Sequence, residues 1–167
     1  MAVDDETFAD VLAANEAFAS DGPPPELEPR AAKGLAVLTC MDSRIDPLAM
    51  LGLVPGDAKI LRNAGARVTG DVLRTLVLAS YLLGVERLMV VAHTGCRMAG
   101  GSQSDVHEAI RAAGGPDTRS ISFLTTQDQR RSLLEDVQRV RSWPYLRGVQ
   151  VAGFLYDLDT GRLELVG

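Results

Sequence analysis

The sequence has few of the residues that define disulfide scaffolds, membrane spans or nucleic-acid surfaces. Its 167 residues include only two cysteines and two histidines, 5% of them are aromatic, and the formal net charge is −5. No apolar run approaches the roughly 18 residues that a membrane helix requires. Nucleic-acid binding would require a basic stripe with stacking rings. We therefore expect neither nucleic acid nor a membrane as a partner, but a small molecule.

The scarcity of cysteine also bears on the cellular compartment. Cys40 and Cys96 are far apart in the sequence, and two such cysteines make no disulfide framework. The first 18 residues are acidic and amphipathic, whereas a secretory leader has a basic start and an apolar centre. We expect a cytoplasmic protein whose cysteines act as thiolates.

The N-terminal region is separated from the rest by a proline-rich segment. Apolar residues recur at helical spacing over residues 4–20, and DGPPPELEP then ends the pattern. Consecutive prolines form a stiff spacer. The helix is therefore either an arm for a partner subunit or a helix folded back on its own core. We expect one domain over 1–167, with an arm and spacer at 1–29 and a core at 30–167.

The core alternates short apolar runs with helical patterns. The runs GLAVLTC, AKILRNAG, RLMVVAH and VQVAGFLYDL predict buried strands, and VTGDVLRTLVLASYLLG predicts a helix between the second and third. Two later helices are predicted, one from SDVHEAIRAAGG and one with its N-cap near Thr126. Asp159-Thr160-Gly161 predicts a hairpin turn into an edge strand. The fold class is α/β, with a mainly parallel sheet flanked by helices and an antiparallel C-terminal edge.

Both cysteines and one histidine lie at predicted strand ends. Cys40 ends the first strand, His93 ends the third, and Cys96 follows in the loop. In an open parallel sheet, ligands bind beyond the carboxyl ends of the strands, where the strand order reverses. Two sulfurs and one nitrogen at that point suit tetrahedral Zn²⁺, and three protein ligands leave the fourth position open, as in catalytic zinc sites.

The residues after Cys40 can serve that fourth position. In CMDSR, Asp42 is close enough either to bind the metal or to accept the proton of a bound water, and Arg44 can keep it ionised through a bidentate pair. Each residue also has a structural explanation. A lone cysteine is commonly a small apolar filler, His93 can be a buried structural histidine, and an Asp–Arg pair can be an ordinary surface ion pair. His107 has no evident partner and is expected at the surface.

Three motifs together resemble one family. CMDSR, RNAGARVT and HTGC, in that order on an α/β chain, resemble the β-class carbonic anhydrases of compact bacterial type, over about residues 30–160. The resemblance implies a zinc enzyme that hydrates carbon dioxide reversibly to bicarbonate and a proton through zinc-bound hydroxide. It implies Cys40, His93 and Cys96 as ligands, with Asp42 and Arg44 as the catalytic dyad. Some family members close the site by placing that aspartate on the zinc.

The resemblance also implies partners and a substrate pocket. Family members are homodimers or tetramers in which the N-terminal helix crosses the neighbouring subunit. Ala64, Gly65 and Arg97 are the implied pocket residues. Arg97 stands where the family usually has glycine, and Ala66 stands where many relatives have asparagine. If residue 97 needed a glycine-only conformation, the site would be altered.

Other functions remain open at this stage. Relatives on the same scaffold hydrolyse carbon disulfide or carbonyl sulfide with the same zinc ligands, which gives a second enzymatic hypothesis. A non-catalytic, zinc-bound bicarbonate sensor is a third, although the intact CMDSR argues against it. A switch disulfide between Cys40 and Cys96 is weaker still, because it would leave His93 and the dyad without a role.

Overall fold

The computed structural model describes residues 5–22 and 26–167, and of residues 5 and 6 only the backbone. Residue 4, where the first helix was expected to begin, and the three consecutive prolines of the spacer lie outside this part. The helices are α1 (Ala9–Ser20), α2 (Gly70–Leu82), α3 (Gln103–Ala112) and α4 (Gln129–Arg141). The strands are β1 (Leu35–Cys40), β2 (Ala58–Asn63), β3 (Arg87–His93), β4 (Gln150–Tyr156) and β5 (Leu163–Leu165).

The five strands form one sheet in the order β2-β1-β3-β4-β5. The first four are parallel, and β5 pairs antiparallel with β4 at the edge. The predicted α/β class, with its mainly parallel sheet and antiparallel C-terminal edge, is confirmed. Because β2 and β3 lie on opposite sides of β1, the strand order reverses there, and a crevice forms at the carboxyl ends of β1 and β3.

The two faces of the sheet are packed differently. Helices α2 and α4 cover one face with Leu73, Leu76, Val137 and Val140, all about 1% exposed or less. Apolar residues at helical spacing on both helices produce this contact. The other face carries Leu35, Val37 and Val91, against which the segment around residues 50–53 packs. The continuous burial of β1, with six buried residues in a row, matches a central parallel strand.

Helix α4 begins later than the sequence pattern predicted. Its N-cap is Asp128, whose side chain accepts a hydrogen bond from the backbone N–H of Arg131 at 3.0 Å. Thr126, the predicted cap, instead lies in an isolated parallel bridge with Ala99. The carboxylate of Asp128 is a strong acceptor for a free amide of the first turn, and this explains the difference.

Helix α1 stands apart from the sheet. None of its side chains is buried, and Val11, Leu12 and Phe18 are each more than half exposed. Its apolar residues therefore contribute nothing to the core of their own chain. Within the described residues, no helix is both long and apolar enough to cross a membrane.

Candidate metal centre

Cys40, His93 and Cys96 converge at the crevice between β1 and β3. Cys40 is the last residue of β1 and His93 the last of β3, and Cys96 follows in the next turn. One ligand atom from each lies within 4.8 Å of the other two. The three residues are 4%, 0% and 5% exposed, respectively. The parallel register of β1 and β3 brings the ends of these strands together, although they are distant in sequence.

The sulfur separation fits a metal ion. The Sγ atoms of Cys40 and Cys96 are 3.9 Å apart. Zn–S bonds of about 2.3 Å at a tetrahedral angle would separate two sulfurs by about 3.8 Å. A disulfide bond requires about 2.05 Å, and both cysteines are free thiols. The spacing therefore fits two metal ligands and excludes a disulfide bond.

The hydrogen bonding of His93 directs one ring nitrogen into the crevice. Its Nδ1 lies 2.8 Å from the carbonyl oxygen of Thr94, which can only accept, so Nδ1 carries the proton. Nε2 then presents a lone pair. It is buried, and among the described residues it finds no hydrogen-bond partner. Burial also lowers the pKa of His93, which favours the neutral, ligating form.

Burial disfavours the thiolate form of Cys96. Burial raises the pKa of Cys96, and the neighbouring Cys40 raises it further. Two adjacent thiolates repel each other in a buried site, whereas a divalent cation stabilises both. A Cys₂His donor set of this kind matches the preference of Zn²⁺ for sulfur and nitrogen. The residues present therefore fit zinc, and they leave one coordination position for a non-protein group.

Asp42 and Arg44 form a bidentate pair beside these ligands. Arg44 donates from Nε to Oδ1 at 2.9 Å and from Nη2 to Oδ2 at 2.6 Å, and its backbone N–H also donates to Oδ1. These side-chain and backbone hydrogen bonds hold the pKa of Asp42 well below its usual range, so the carboxyl group is ionised at neutral pH. Asp42 Oδ2 lies 3.9 Å from His93 Nε2. The pair thus points an acceptor at the crevice.

Backbone contacts hold the Asp42 segment in this position. Arg44 Nη2 also donates to the carbonyl of Gly95, in the loop that carries Cys96. Arg62 donates from Nε to the carbonyl of Cys40 and from Nη2 to the carbonyl of Asp42 at 2.6 Å. Arg62 could not be recognised from the sequence, because nothing in its local pattern shows that its side chain reaches back to the end of β1.

The three pocket residues that the family resemblance implies differ in burial. Ala64 and Gly65 are half-buried in the turn after β2, and the Gly65 N–H donates to Cys40 Sγ at 3.4 Å. Arg97 is exposed. Its φ is not positive, since the only non-glycine residues with positive φ in the described parts are Ala66 and Leu124. Arg97 therefore adopts an ordinary conformation, and the backbone at this position does not require glycine.

Ala66 has a left-handed conformation that is unusual for alanine. Its φ is +57°, and the residue is 2% exposed. A residue with a Cβ rarely adopts this region, because the Cβ crowds the backbone there. Ala66 is therefore a point of backbone strain in the turn after β2.

His107 is not the isolated surface residue that the sequence suggested. Its Nδ1 lies 2.9 Å from Thr118 Oγ1, and its ring lies against Phe123 with a centroid distance of 5.3 Å. Both partners come after α3 in the chain, so the local sequence could not show these contacts.

Comparison with known proteins identifies the family. The sequence profile described as "Carbonic anhydrase" matches residues 35–163. Beta-carbonic anhydrase 1 of Mycobacterium tuberculosis is 36% identical over 164 residues, covering 94% of this chain and 96% of the relative. The chain belongs to the β-carbonic anhydrase family. The resemblance inferred from CMDSR, RNAGARVT and HTGC is thereby confirmed.

Solved structures of the β-carbonic anhydrase family share this fold. A carbonic anhydrase from Streptococcus mutans superimposes with a TM-score of 0.89 at 33% identity, covering 100% of both chains. Tetrameric β-carbonic anhydrases from Sordaria macrospora also match, with a TM-score of 0.66, and at 19% identity this likeness is one of fold alone. A carbon disulfide hydrolase from Saccharolobus solfataricus is 44% identical over 154 residues, covering 78% of this chain and 76% of the relative. The scaffold thus also occurs in proteins named for another substrate.

Proposed function

We propose that this chain is a zinc-dependent carbonic anhydrase, a lyase that converts carbon dioxide and water reversibly into bicarbonate and a proton. One observation carries the proposal. Three ligand atoms within 4.8 Å of one another lie beside an ionised carboxylate that a bidentate arginine orients. Membership of the β-carbonic anhydrase family supports the same activity.

Cys40, His93 and Cys96 would hold the metal through Sγ, Nε2 and Sγ. When bound, Zn²⁺ supplies Lewis-acid activation of water at neutral pH. The protein residues keep the site ready for the ion: Thr94 fixes the tautomer of His93, and burial of all three ligands excludes bulk water.

Asp42 and Arg44 would form the catalytic dyad. Asp42 Oδ2 lies 3.9 Å from His93 Nε2, and we infer that it takes the proton of the attacking water. Arg44 keeps Asp42 ionised and aims it, because its two side-chain hydrogen bonds fix the plane of the carboxylate.

Ala64, Gly65 and Arg97 are proposed to line the substrate pocket. Ala64 and Gly65 lie in the turn after β2, next to Cys40, and Arg97 follows the ligand Cys96 directly. Because carbon dioxide is small and uncharged, backbone N–H groups and small side chains suit it. The exposed guanidinium of Arg97 would attract bicarbonate at the mouth.

The proposal is tested by stopped-flow measurement of carbon dioxide hydration on zinc-replete protein, at neutral and at mildly alkaline pH. We expect about one zinc per chain and activity at both values, because both carboxylate oxygens of Asp42 accept hydrogen bonds from Arg44. Activity at the alkaline end alone would indicate that Asp42 closes the site on the metal. Absence of hydration at both would contradict the proposal.

Hydrolysis of carbon disulfide or carbonyl sulfide is the second candidate, favoured by the 44% identical hydrolase. The two activities are separated by comparing turnover of carbon dioxide with release of hydrogen sulfide from both sulfur compounds. A higher kcat/KM for the sulfur compounds than for carbon dioxide would make the hydrolase the better-supported function.

The sensor hypothesis has less support, because Asp42 pairs with Arg44.

We further propose a homodimer, or a tetramer built from such dimers, in which α1 is exchanged between subunits. Residues 30–167 would then be one core domain, and 1–29 its arm. The support is the exposure of every side chain of α1, with Leu12 53% and Phe18 63% exposed. Apolar side chains at these positions are expected to be covered by a partner.

Sedimentation analysis of the double variant Leu12→Ser/Phe18→Ser tests the exchanged arm. We expect the dissociation constant of the dimer to rise at least ~100-fold, since each buried apolar side chain contributes about 1.5–3 kcal/mol. Glu16→Gln, on the same helix, is the control and should leave assembly unchanged. A double variant that assembles as the wild type does would rule out the arm.

A cytoplasmic location is proposed on the basis of the cysteines. Both are free and buried at 3.9 Å from each other, and a zinc site of this kind needs them reduced. Fractionation of cells that produce the full chain would test this, with recovery in the soluble intracellular fraction as the expected result.

A further inference from the structure

The turn between β2 and α2 has a backbone conformation that its own sequence does not explain. Ala66 has a φ of +57°, and Leu124, in the segment before α4, has a φ of +55°. These are the two non-glycine residues with positive φ in the described parts of the chain. This conformation is unfavourable for a residue with a Cβ, and it persists only where the surroundings impose it.

A single side chain connects both strained positions. Arg67 directly follows Ala66, and its Nη1 donates to the carbonyl oxygen of Leu124 at 2.8 Å. Its Nε donates to Asp136 Oδ2 on α4 at 2.6 Å. The two side chains of this pair are only 17% and 6% exposed. The pair therefore fixes the turn after β2 to helix α4.

The same turn contacts a candidate zinc ligand. Asn63 and Arg67 exchange hydrogen bonds of 2.8 Å between the asparagine amide and the arginine backbone, which closes the turn. Inside it, Gly65 has a φ of +81°, and its N–H donates to Cys40 Sγ at 3.4 Å. An N–H donor to a thiolate withdraws charge from the sulfur and stabilises it.

Helix α4 also reaches the histidine. Gln129, at its first turn, donates from Nε2 to the carbonyl oxygen of His93 at 3.0 Å. Helix α4 is thus connected to two candidate ligands. It reaches His93 through Gln129, and it reaches Cys40 through the Arg67–Asp136 pair and the turn that contains Gly65. No family motif quoted above includes Asp136 or Gln129.

We propose that Arg67 and Asp136 are positioning residues of the metal site: their ion pair holds the turn 63–67 so that the Gly65 N–H stays directed at Cys40 Sγ. Neither residue touches the reacting atoms. This inference rests on the proposed zinc site, and its consequence is a change at the sulfur, because loss of the N–H donor leaves Cys40 a more electron-rich ligand.

The test uses Asp136→Asn, which keeps the shape of the side chain and removes its charge. The full chain is loaded with Co²⁺, and the sulfur-to-cobalt charge-transfer bands are recorded. We expect these bands to move to longer wavelength, because a more electron-rich sulfur transfers charge at lower energy. We also expect zinc transfer to a colorimetric chelator to be about tenfold faster.

Glu135→Gln is the matched control. Glu135 precedes Asp136 on α4 and pairs with Arg131 at 3.0 Å. This pair lies at the surface, with the side chains of Arg131 and Glu135 77% and 58% exposed, respectively. Its cobalt spectrum and zinc release should equal those of the wild type. A loss of stability alone would not move the cobalt bands of the folded protein, and this separates positioning from a purely structural role.

The outcomes distinguish this inference from the proposed function. If the wild-type protein binds neither Co²⁺ nor Zn²⁺, the metal site itself is wrong. If the wild type binds both ions and folded Asp136→Asn has unchanged bands and release, only the positioning role is wrong. Should Asp136→Asn fail to fold, Arg67→Met/Asp136→Leu, which replaces the pair with apolar volume, is measured in the same way. Failure of both to fold would make the pair a requirement of the fold and overturn its positioning role.

Discussion

Two Asp-x-Arg segments of this chain have nearly the same local geometry and very different surroundings. Asp42 accepts from Arg44 Nε at 2.9 Å and Nη2 at 2.6 Å, and Asp117 accepts from Arg119 Nε and Nη2 at the same two distances. In both, the side-chain hydrogen bonds of the arginine hold the pKa of the aspartate well below its usual range. The local sequence thus makes the same bidentate pair twice.

The surroundings of the two pairs decide what each can do. Asp42 is 18% exposed and lies 3.9 Å from His93 Nε2, next to two thiols, whereas Asp117 is 61% exposed and lies in an open groove beside α3. An oriented carboxylate becomes a catalytic candidate only where a reactive group can be bound beside it. The same local motif is therefore a candidate site at Asp42 and a surface pair at Asp117. Three substitution experiments test this difference, and a fourth tests the turn behind Cys40.

The largest effect is expected from Cys96→Ala. This variant removes one of the three candidate metal ligands and leaves both Asp-Arg pairs intact. With one sulfur missing, we expect zinc content to fall to near zero and carbon dioxide hydration to fall to the buffer background. Metal analysis and stopped-flow assays measure the two. A variant that lacks zinc and remains active would rule out the zinc assignment and, with it, the distinction between the two pairs.

The variants Asp42→Ala and Asp117→Ala compare the two pairs directly, because each removes the carboxylate of one pair. Asp42→Ala should keep its zinc and lose about 10²–10⁴-fold in kcat/KM, the usual contribution of a positioned proton acceptor. Asp117→Ala removes an equivalent carboxylate and should stay within about twofold of the wild type, as expected for an exposed surface pair. Equal losses in both variants would mean that the site near His93 gives Asp42 no special role.

A smaller effect is expected from Arg44→Lys, with Arg119→Lys as its counterpart. Lysine keeps the charge but cannot form the two parallel hydrogen bonds that fix the carboxylate plane. We expect a loss of about tenfold in kcat/KM for Arg44→Lys and no measurable loss for Arg119→Lys. If Arg44→Lys retains full activity, charge alone is sufficient and orientation of Asp42 is unnecessary.

The smallest effect is expected from Gly65→Ala, which adds a methyl group to the turn behind Cys40. Its φ of +81° disfavours alanine, and the added Cβ would lie 3.2 Å from Met98 Cβ. Gly52→Ala is the control, since φ is +62° and no atom lies within 4 Å of the added Cβ. We expect the free energy of unfolding to fall by about 1 kcal/mol in the control and by about 2 kcal/mol at Gly65. Equal losses in urea titrations would show that the contact with Met98 is not restrictive.

Local patterns predicted most of the secondary structure for identifiable reasons. RLMVVAH becomes β3 with the predicted bounds, because a short apolar run bounded by turn residues suits a strand covered on both faces. The N-cap of helix α4 lies two residues after Thr126, since both Thr126 and Asp128 can act as N-caps, the Asp128 carboxylate accepts from the first turn, and Thr126 pairs with Ala99. His107 was misjudged because its partners Thr118 and Phe123 lie beyond its own helix.

The sequence by itself determined the elements of the site: two cysteines and a histidine at strand ends, and an aspartate paired with an arginine two residues away. These follow from short-range rules, namely strand periodicity and the reach of neighbouring side chains. Only the tertiary structure decided which Asp-Arg pair lies beside the candidate ligands and which atoms support them. The N–H of Gly65, the side chain of Gln129 and the Arg67–Asp136 pair act across 25 to 69 residues of chain. Such contacts exist only after the sheet and α4 have packed, because burial of apolar surface brings these segments together. The local sequence around each residue does not show which distant segment it will contact.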